Sequence, residues 1–279
     1  MPDHLTVLVT GATDGLGKAL AHRLAGRGHH VLLHGRSQDK LDQTKAEVQQ
    51  ENPAAPEPAT FRADLSDGEQ VSGLAAAVLA TTGRLDVLVN NAGVGGGRDG
   101  KRTVTAAGHE LVLAVNFLAP FALTLRLLPL LRATGQARVV HVASGAQQPV
   151  DPRDLMLENG YSDSRAYGQS KFALIATGFA LAARLDPAEV TVNSLHPGTL
   201  MPTKMVLSRS RSTVDTLETG IESMDRLVTD PALREVSGRY FDRRREAGAS
   251  PTAYDPQVQQ WLWDKALDLT GGHHPPAGA

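Results

Sequence analysis

Short apolar runs alternate with longer stretches of helical apolar spacing over the first two thirds of the chain. Leu5 to Val9 is a β-branched run expected as a strand, and Lys18 to Arg27 is expected as a helix with Ala19, Leu20, Leu24 and Ala25 inward. Val31 to Leu33 is a second strand, Asp39 to Gln50 a polar helix, and the Pro-rich Asn52 to Pro58 a loop. Then come a strand at Ala59 to Ala63, an Ala-rich helix at Glu69 to Thr81 and a fourth strand at Asp86 to Val89. A Gly-rich turn, Gly93 to Gly100, leads into a long apolar helix over Ala106 to Leu131 that contains Pro120. Arg138 to Val142 is the next strand, and Gly145 to Ser164 is a loop of turn formers. A helix carrying Tyr167 extends to about Arg184, and Val190 to Leu195 is a sixth strand, ended by His196-Pro197-Gly198. This alternation predicts an α/β chain with a doubly wound parallel sheet in a three-layer α/β/α arrangement.

From Thr199 to about Thr252 the periodicity is poor, apart from a last strand at Val236 to Phe241. Pro256 to Leu269 is a final amphipathic helix, and Gly271 to Ala279 is expected as a frayed tail. No linker and no internal repeat divides the chain, so residues 1–279 are expected to form one domain.

Composition narrows the class. The 41% hydrophobic share is enough for a substantial core, and the 21% charged share is ordinary for a globular protein. A net charge of -2 argues against a nucleic-acid footprint or an anionic membrane surface. With no cysteine, disulfides, thiol catalysis and cysteine metal sites are excluded. No long uncharged apolar run is found to span a bilayer, and the N-terminal stretch lacks the basic flank of a signal peptide. The chain is therefore expected to be cytoplasmic.

Candidate chemistry begins at Thr10-Gly11-Ala12-Thr13-Asp14-Gly15-Leu16-Gly17, between the first strand and the first helix. Glycines there allow a tight turn and close approach of backbone to a pyrophosphate, whose charge is favoured at a helix N-terminus. The spacing is G-x-x-x-G-x-G. A triphosphate P-loop ending at Gly17-Lys18 would need glycine at Ala12 and Ser or Thr at Ala19, so it is excluded. At the end of the second strand an acid suits the ribose of NAD, whereas an arginine suits a 2′-phosphate. The stretch Leu33-His34-Gly35-Arg36-Ser37 has no acid, so Arg36, with Ser37 and His34 assisting, favours NADP(H) over NAD(H).

Tyr167 and Lys171 lie one helical turn apart, on one face. An ammonium near a phenol favours phenolate, so the lysine is expected to lower the tyrosine pKa towards neutrality. Tyr161 has Arg165, not lysine, four residues on. Ser144 ends the fifth strand, where a hydroxyl can donate to an oxygen that is gaining negative charge. A hydrolase elbow would need glycines at Val142 and Ala146. Pro120 has no N–H for the carbonyl four residues earlier, which leaves the Asn116 carbonyl in search of a partner. His109-Glu110 begins like a zinc-protease motif, but Leu113 stands where its second histidine belongs. His29-His30 and His273-His274 read as the start of a strand and a polar tail, and Arg209 to Arg211 and Asp242 to Glu246 as solvated faces.

In this order the residues resemble the short-chain dehydrogenase/reductase family, in its compact single-domain, Rossmann-type branch. The resemblance runs from Leu5 to Thr203 through TGATDGLG, Asp64-Leu65-Ser66, Asn90-Asn91-Ala92-Gly93, Asn116, Ser144, Tyr167 with Lys171, and Pro197-Gly198-Thr199. The layout, with its HPGT, SGRYF and AYDP stretches, is most similar to retinol-dehydrogenase-like carbonyl reductases. The resemblance implies an NADP-dependent oxidoreductase acting on CH–OH groups, with a ketone or aldehyde as the other half of the pair. Tyr167 would be the general acid/base, Ser144 would orient the oxygen, and Lys171 would hold the nicotinamide ribose. Asn116 would keep a water beside the lysine. Asp64 and Leu65 would contact adenine. Asn90, Asn91, Ala92 and Gly93 would line the dinucleotide groove and support the sheet, and Pro197, Gly198 and Thr199 would meet the nicotinamide. The family often carries a further threonine at the position of Pro202, one before Thr203.

Substrate loops are expected at about 146–164 and 199–252, and Leu155, Met156, Leu157, Met201, Met205 and Val206 suggest a partly apolar small-molecule substrate. No metal is expected. The helices around Ala107 to Leu131 and Ala166 to Ala183 often form a subunit interface in the family, which implies a homodimer or homotetramer. A catalytically silent NADP-binding regulator of the same fold stands as the alternative. An epimerase with a sugar-nucleotide domain would need a longer chain.

Overall fold

Val7 and Val9 of the first strand belong to one hydrophobic core and Leu8 to another. That period of two gives every central strand a share in two cores. The computed structural model describes residues 4–96, 100–208 and 212–272. Its first half runs β1 (Thr6–Val9), α1 (Gly15–Gly26), β2 (His30–Gly35), α2 (Gln38–Glu51), β3 (Ala59–Arg62), α3 (Gly68–Thr81) and β4 (Val87–Asn90). Next come a short helix α4 (Leu111–Leu113), a π turn (Ala114–Leu118), α5 (Ala119–Thr134), β5 (Ala137–Val142), α6 (Asp163–Ala182) and β6 (Val190–His196). The last part is α7 (Lys204–Leu207), α8 (Leu217–Thr229), β7 (Arg239–Asp242), β8 (Arg245–Ala247) and α9 (Pro256–Thr270).

The eight strands form one sheet in the order β3-β2-β1-β4-β5-β6-β7-β8. All neighbours are parallel except β8, which runs antiparallel along β7. On one face Leu8, Leu32 and Leu88 pack with Leu74, Phe117, Phe172 and Trp263, from α3, the π turn, α6 and α9. On the other, Val9, Leu33 and Val89 pack with Leu20, Leu24, Leu41 and Met224, from α1, α2 and α8. Parallel strands covered on both sides need apolar residues at nearly every position, as β1 and β4 have. The three-layer, doubly wound fold expected from the alternation is the fold observed.

Side-chain caps set where helices start. The Asp14 carboxylate accepts the Gly15 N–H at 2.8 Å, so α1 begins three residues earlier than the apolar spacing indicates. The long apolar helix begins later than expected, because the chain turns at Gly108 (φ 84°) and Val104 bridges to Glu110. Buried Glu110 then accepts the Val112 and Leu113 N–H groups at 2.9 and 2.7 Å. From Leu111 the helix continues to Thr134, long and apolar enough by length and composition to cross a membrane. Arg126 and Arg132 break the uncharged run, yet 89% of its most apolar window lies buried inside the fold.

The expected disorderly stretch after β6 contains α8, whose Ile221, Met224, Leu227 and Val228 are buried at helical spacing. Buried Arg138 of β5 closes its C-terminal end, donating to the carbonyls of Leu227, Val228 and Asp230 at 3.0, 3.3 and 2.8 Å. The last expected strand starts at Arg239 rather than Val236, and β8 pairs with it unforeseen. The frayed tail beyond Gly272, His273-His274 and the Arg209–Arg211 run lie outside the described residues.

α9 packs against α5 and α6, the helices that the resemblance offered as a subunit interface. Trp263 meets Phe121 edge-on at 5.0 Å between centroids, and the Arg184 guanidinium lies over the Trp263 ring, 4.4 Å from its centre. Tyr254, just before α9, stacks on Phe179 at 4.9 Å. Trp263→Ala is expected to destabilise the chain by about 3–5 kcal/mol. A lower urea midpoint would register that loss; an unchanged midpoint would show that α9 docks only loosely.

Candidate active site

Because β1 to β6 are parallel, their carboxyl ends share one edge of the sheet, and the expected site residues stand along it. Gly11 to Gly17 follow β1, Arg36 and Ser37 follow β2, and Asp64 and Leu65 follow β3. Asn91, Ala92 and Gly93 follow β4, Ser144 follows β5, and Pro197, Gly198 and Thr199 follow β6. Neighbouring strands β1 and β4 send their chains to opposite faces, which opens a crevice at this edge.

Hydrogen bonds tie the two sides of the crevice. Thr10 Oγ1 donates to the Val89 carbonyl at 3.2 Å and accepts the N–H groups of Asn91 and Ala92, each at 3.0 Å. The Asn91 side-chain amide donates to the Thr10 carbonyl at 2.8 Å. A Cβ on Gly17 would sit 2.4 Å from both Asn91 Nδ2 and the Gly11 carbonyl oxygen, so no other residue fits there. Gly11 has φ 67° and its Cβ would meet Ala92 at 3.0 Å. Thr13 lies where a Cβ on Gly35 would be, 2.6 Å away, so the turn also rests against β2. Leu16 reaches towards Gly220 of α8, and Thr203 lies beside Gly15. The turn is therefore a backbone cradle at a helix N-terminus, a shape and polarity suited to a pyrophosphate.

Beside it, Arg36 is exposed and, among the described residues, has no ion pair or hydrogen bond. Ser37 caps α2 by accepting the Lys40 N–H at 3.5 Å, and Lys40 approaches Asp14 at 3.9 Å. This is a cationic corner at a second helix N-terminus, with a chemistry that fits a 2′-phosphate. His34 does not belong to it. It is buried, accepts the Gly11 N–H at 3.2 Å through Nδ1 and donates to the Ala63 carbonyl at 3.1 Å through Nε2. Burial lowers its pKa to about 4, so it stays neutral and pins the turn to β3. Asp64 turns back on Ser66, accepting its N–H at 2.9 Å and its hydroxyl at 2.8 Å. The Leu65 side chain is buried in the core, so only its backbone is available to an adenine.

The catalytic candidates converge around α6, which Ser162 caps. Lys171 is buried; its ammonium donates to the Val142 carbonyl at 2.8 Å and lies 5.7 Å from the centre of the Tyr167 ring. It also stands 3.5 Å from the place a Cβ on Gly93 would take, with Asn116 Oδ1 at 3.3 Å from the same point. Asn116 clamps the chain after β4, accepting the Val94 N–H at 2.8 Å and donating to the Val94 carbonyl at 2.9 Å. The same amide donates to Ser170 Oγ at 3.1 Å, whose hydroxyl donates to the Tyr167 carbonyl at 2.8 Å. Around Asn116 the helix widens into the π turn, and the Ala119 N–H reaches back five residues to the Ala114 carbonyl. Pro120, which lacks a donor, follows directly. Asn90 is buried below, its amide donating to Thr124 Oγ1 at 3.0 Å and to His141 Nδ1 at 3.2 Å, so it supports the sheet and does not line the groove.

Electrostatics here differ from the sequence expectation. Burial pushes the Tyr167 phenol up, against a smaller lowering by its hydrogen bond with Ser144. Burial also lowers Lys171 to about 8. With the ammonium directed at Val142 and over the ring, desolvation outweighs any pull of the lysine on the phenol. The expected lowering of the Tyr167 pKa by Lys171 is absent from this resting arrangement.

Sequence reasoning missed two supports. Buried Tyr240 of β7 donates to the Ser144 carbonyl at 3.0 Å, and Gln147 Nε2 donates to the same oxygen at 3.2 Å. Asp242 to Glu246 are not simply a solvated face, because Arg243 bonds Asp215 and Asp242. The only signal for either was the SGRYFD stretch itself. Of the apolar residues expected in the substrate loops, Leu155, Leu157 and Met201 are buried, which leaves Met156, Met205 and Val206 part-exposed.

The model of the short chain dehydrogenase family matches residues 5–213. Mouse retinol dehydrogenase 13 is 32% identical over 286 residues, covering 95% of this chain and 84% of the relative. A candidate daunorubicin C-13 ketoreductase, DnrU, from Streptomyces sp. (strain C5) is 36% identical over 278 residues, covering 95% of this chain and 92% of the relative. Among solved structures, a short chain dehydrogenase from Escherichia coli CFT073 complexed with NADPH is similar at a TM-score of 0.70 and 28% identity, covering 87% of this chain and 98% of the other.

The lysine carries a stability signature. Unfolding returns Lys171 from about 8 to its ordinary 10.5, so between those values the unfolded chain binds more protons. Stability contributed through this group therefore rises with pH across that window. Urea midpoints compared at pH 8 and pH 9.5 are expected to show the rise in the parent chain and not in Lys171→Met. A parallel response in the two would place the lysine in solvent.

Proposed function

The chain belongs to the short chain dehydrogenase family, and on that premise we propose that it is an NADP(H)-dependent oxidoreductase interconverting a ketone or aldehyde with the corresponding alcohol. The observation that carries the reading is the convergence of Ser144, Tyr167, Lys171 and Asn116 at the mouth of a glycine-lined crevice. NADP(H), when bound, supplies or accepts the hydride.

The chain's own residues would do the rest. Gly11, Thr13, Asp14, Gly15, Leu16 and Gly17 form the cradle for the pyrophosphate, and Arg36 with Ser37 recognises the 2′-phosphate. Asp64, the Leu65 backbone, Asn91, Ala92 and Gly93 line the adenine side and the groove; Pro197, Gly198 and Thr199 stand at the nicotinamide end. In reduction, Tyr167 protonates the carbonyl oxygen. The phenol is protonated at neutral pH, the state a general acid must start from, although burial moves its pKa further from neutrality in the resting arrangement. Ser144, held by its carbonyl and facing the phenol, donates to the same oxygen as charge develops. Lys171 holds the ribose, and Asn116, at the π turn, keeps a water route to it.

A partly apolar substrate is supported by the exposed Leu200 and Leu207 and the part-exposed Met205 and Val206 beyond β6. The names of the retinol dehydrogenase and ketoreductase relatives point the same way. A single domain over residues 1–279 and a cytoplasmic setting belong to this reading. A homo-oligomer belongs to it only through faces other than those of α5 and α6 that α9 covers.

Tyr167→Phe is expected to bind NADPH as the parent does while carbonyl reduction falls by about 10² or more. Near-parental turnover would sink the assignment of the acid. Arg36→Ala is expected to weaken NADPH much more than NADH in fluorescence titrations. Equal weakening of the two cofactors would refute the 2′-phosphate role.

A further inference from the structure

We propose that Arg243 is a positioning residue for the nicotinamide end of the site, acting through Asp215 on Thr199; the proposal rests on the oxidoreductase reading above. Arg243 stands at the turn between β7 and β8 with φ 54°, a left-handed conformation that a side chain tolerates only when its surroundings hold it there. Several bonds hold it. Its N–H donates to the His196 carbonyl at 2.7 Å, directly before Pro197. Its guanidinium grips Asp215 with Nε at 3.1 Å and Nη2 at 2.5 Å, and Nη1 meets Asp242 at 2.7 Å.

The grip passes to the loop after β6. Asp215 Oδ2 accepts the Thr199 N–H at 2.6 Å, and the Asp215 N–H donates back to the Thr199 carbonyl at 3.0 Å. Val214 donates to the Leu200 carbonyl at 3.2 Å, which extends the same short pairing. Thr199 Oγ1 lies 3.0 Å from His196 Nε2 and 3.4 Å from Arg243 Nη2. Both backbone groups of Thr199 are thus fixed by Asp215, and Asp215 is fixed by Arg243. The guanidinium and the Thr199 N–H together hold the Asp215 carboxyl below its ordinary pKa, the guanidinium foremost. The clasp anchors the Thr199 side to the edge of the sheet, and it closes the ends of the segment that carries the exposed apolar residues. A planar fork that meets one carboxylate with two nitrogens also sets the angle of approach, which a lysine does not.

Arg243→Gln, Asp215→Asn, the double variant and Arg243→Lys test this in the full chain. Amide hydrogen exchange at Thr199, Val214 and Asp215 is expected to quicken about tenfold in Arg243→Gln and in Asp215→Asn, and the NADPH dissociation constant to rise by a similar factor. Thermal midpoints are expected to stay close to the parent's. The double variant should show little beyond either single one, as expected of residues acting through one contact, and Arg243→Lys should restore part of the loss. Unchanged exchange and NADPH affinity, or single effects that simply add, overturn the proposal. If both quantities respond but the parent chain reduces no carbonyl, the clasp stands and the reductase reading fails by itself. If the parent reduces carbonyls and no variant changes in exchange, affinity or KM, the reading stands and the clasp fails.

Discussion

The hydrogen bonds between Thr10 and Asn91 hold the molecule's crevice in shape. They join β1 to β4 where the two chains leave for opposite faces of the sheet, α1 for one and the π turn with α5 for the other. Without such a tie, two diverging loops would leave backbone donors and acceptors unpaired at the edge of a buried sheet, each at a cost of about 1–3 kcal/mol. The tie in turn demands glycine at position 17, because Asn91 Nδ2 and the Gly11 carbonyl occupy the space any side chain would need. Backbone polarity, close approach and the start of a helix therefore coincide at one turn, and the glycine cradle is a by-product of closing the sheet.

Burial governs the chemistry further along the same edge. Tyr167 and Lys171 both sit where water is scarce, and in both the neutral form gains: the phenol holds its proton more tightly and the ammonium releases its proton more readily. At rest the phenol is therefore protonated, and the ammonium beside it lies nearer its neutral form than a lysine in water. Ser144 is fixed from behind by Tyr240 and Gln147, and Asn116 is fixed by Val94 and Ser170. The candidate catalytic side chains are held by neighbours from β7, from the chain after β4 and from α6 itself, so the geometry is set by the whole sheet edge.

Much of this was legible in the sequence. Short apolar runs mark the strands from β1 to β6 and helical apolar periods most of the helices, because burial on both sheet faces leaves the central strands little choice of residue. Site residues at strand ends were readable since glycines, an arginine and a Tyr/Lys pair are types with few other reasons to recur in that order. What escaped depends on pairing at a distance. α8 is amphipathic, but its polar surroundings hid the pattern. The start of the long helix was decided by Gly108 and the Glu110 cap, which apolar spacing does not weigh. The direction of the Tyr167 shift could not be read from a four-residue spacing, because it comes from the burial of both groups. His34 looked like a phosphate ligand and is a strut, and Arg243 looked solvated and is a clasp.

On the proposed reading, hydride passes between nicotinamide and a carbonyl carbon at this crevice. The most direct measurement uses NADPH deuterated at the transferable nicotinamide carbon, in each stereochemical form, with a panel of ketones and aldehydes, and mass spectrometry of the alcohols formed. One deuterium is expected on the former carbonyl carbon from one of the two forms and none from the other. Consumption of NADPH with no label in any alcohol, or no consumption across the panel, would contradict it.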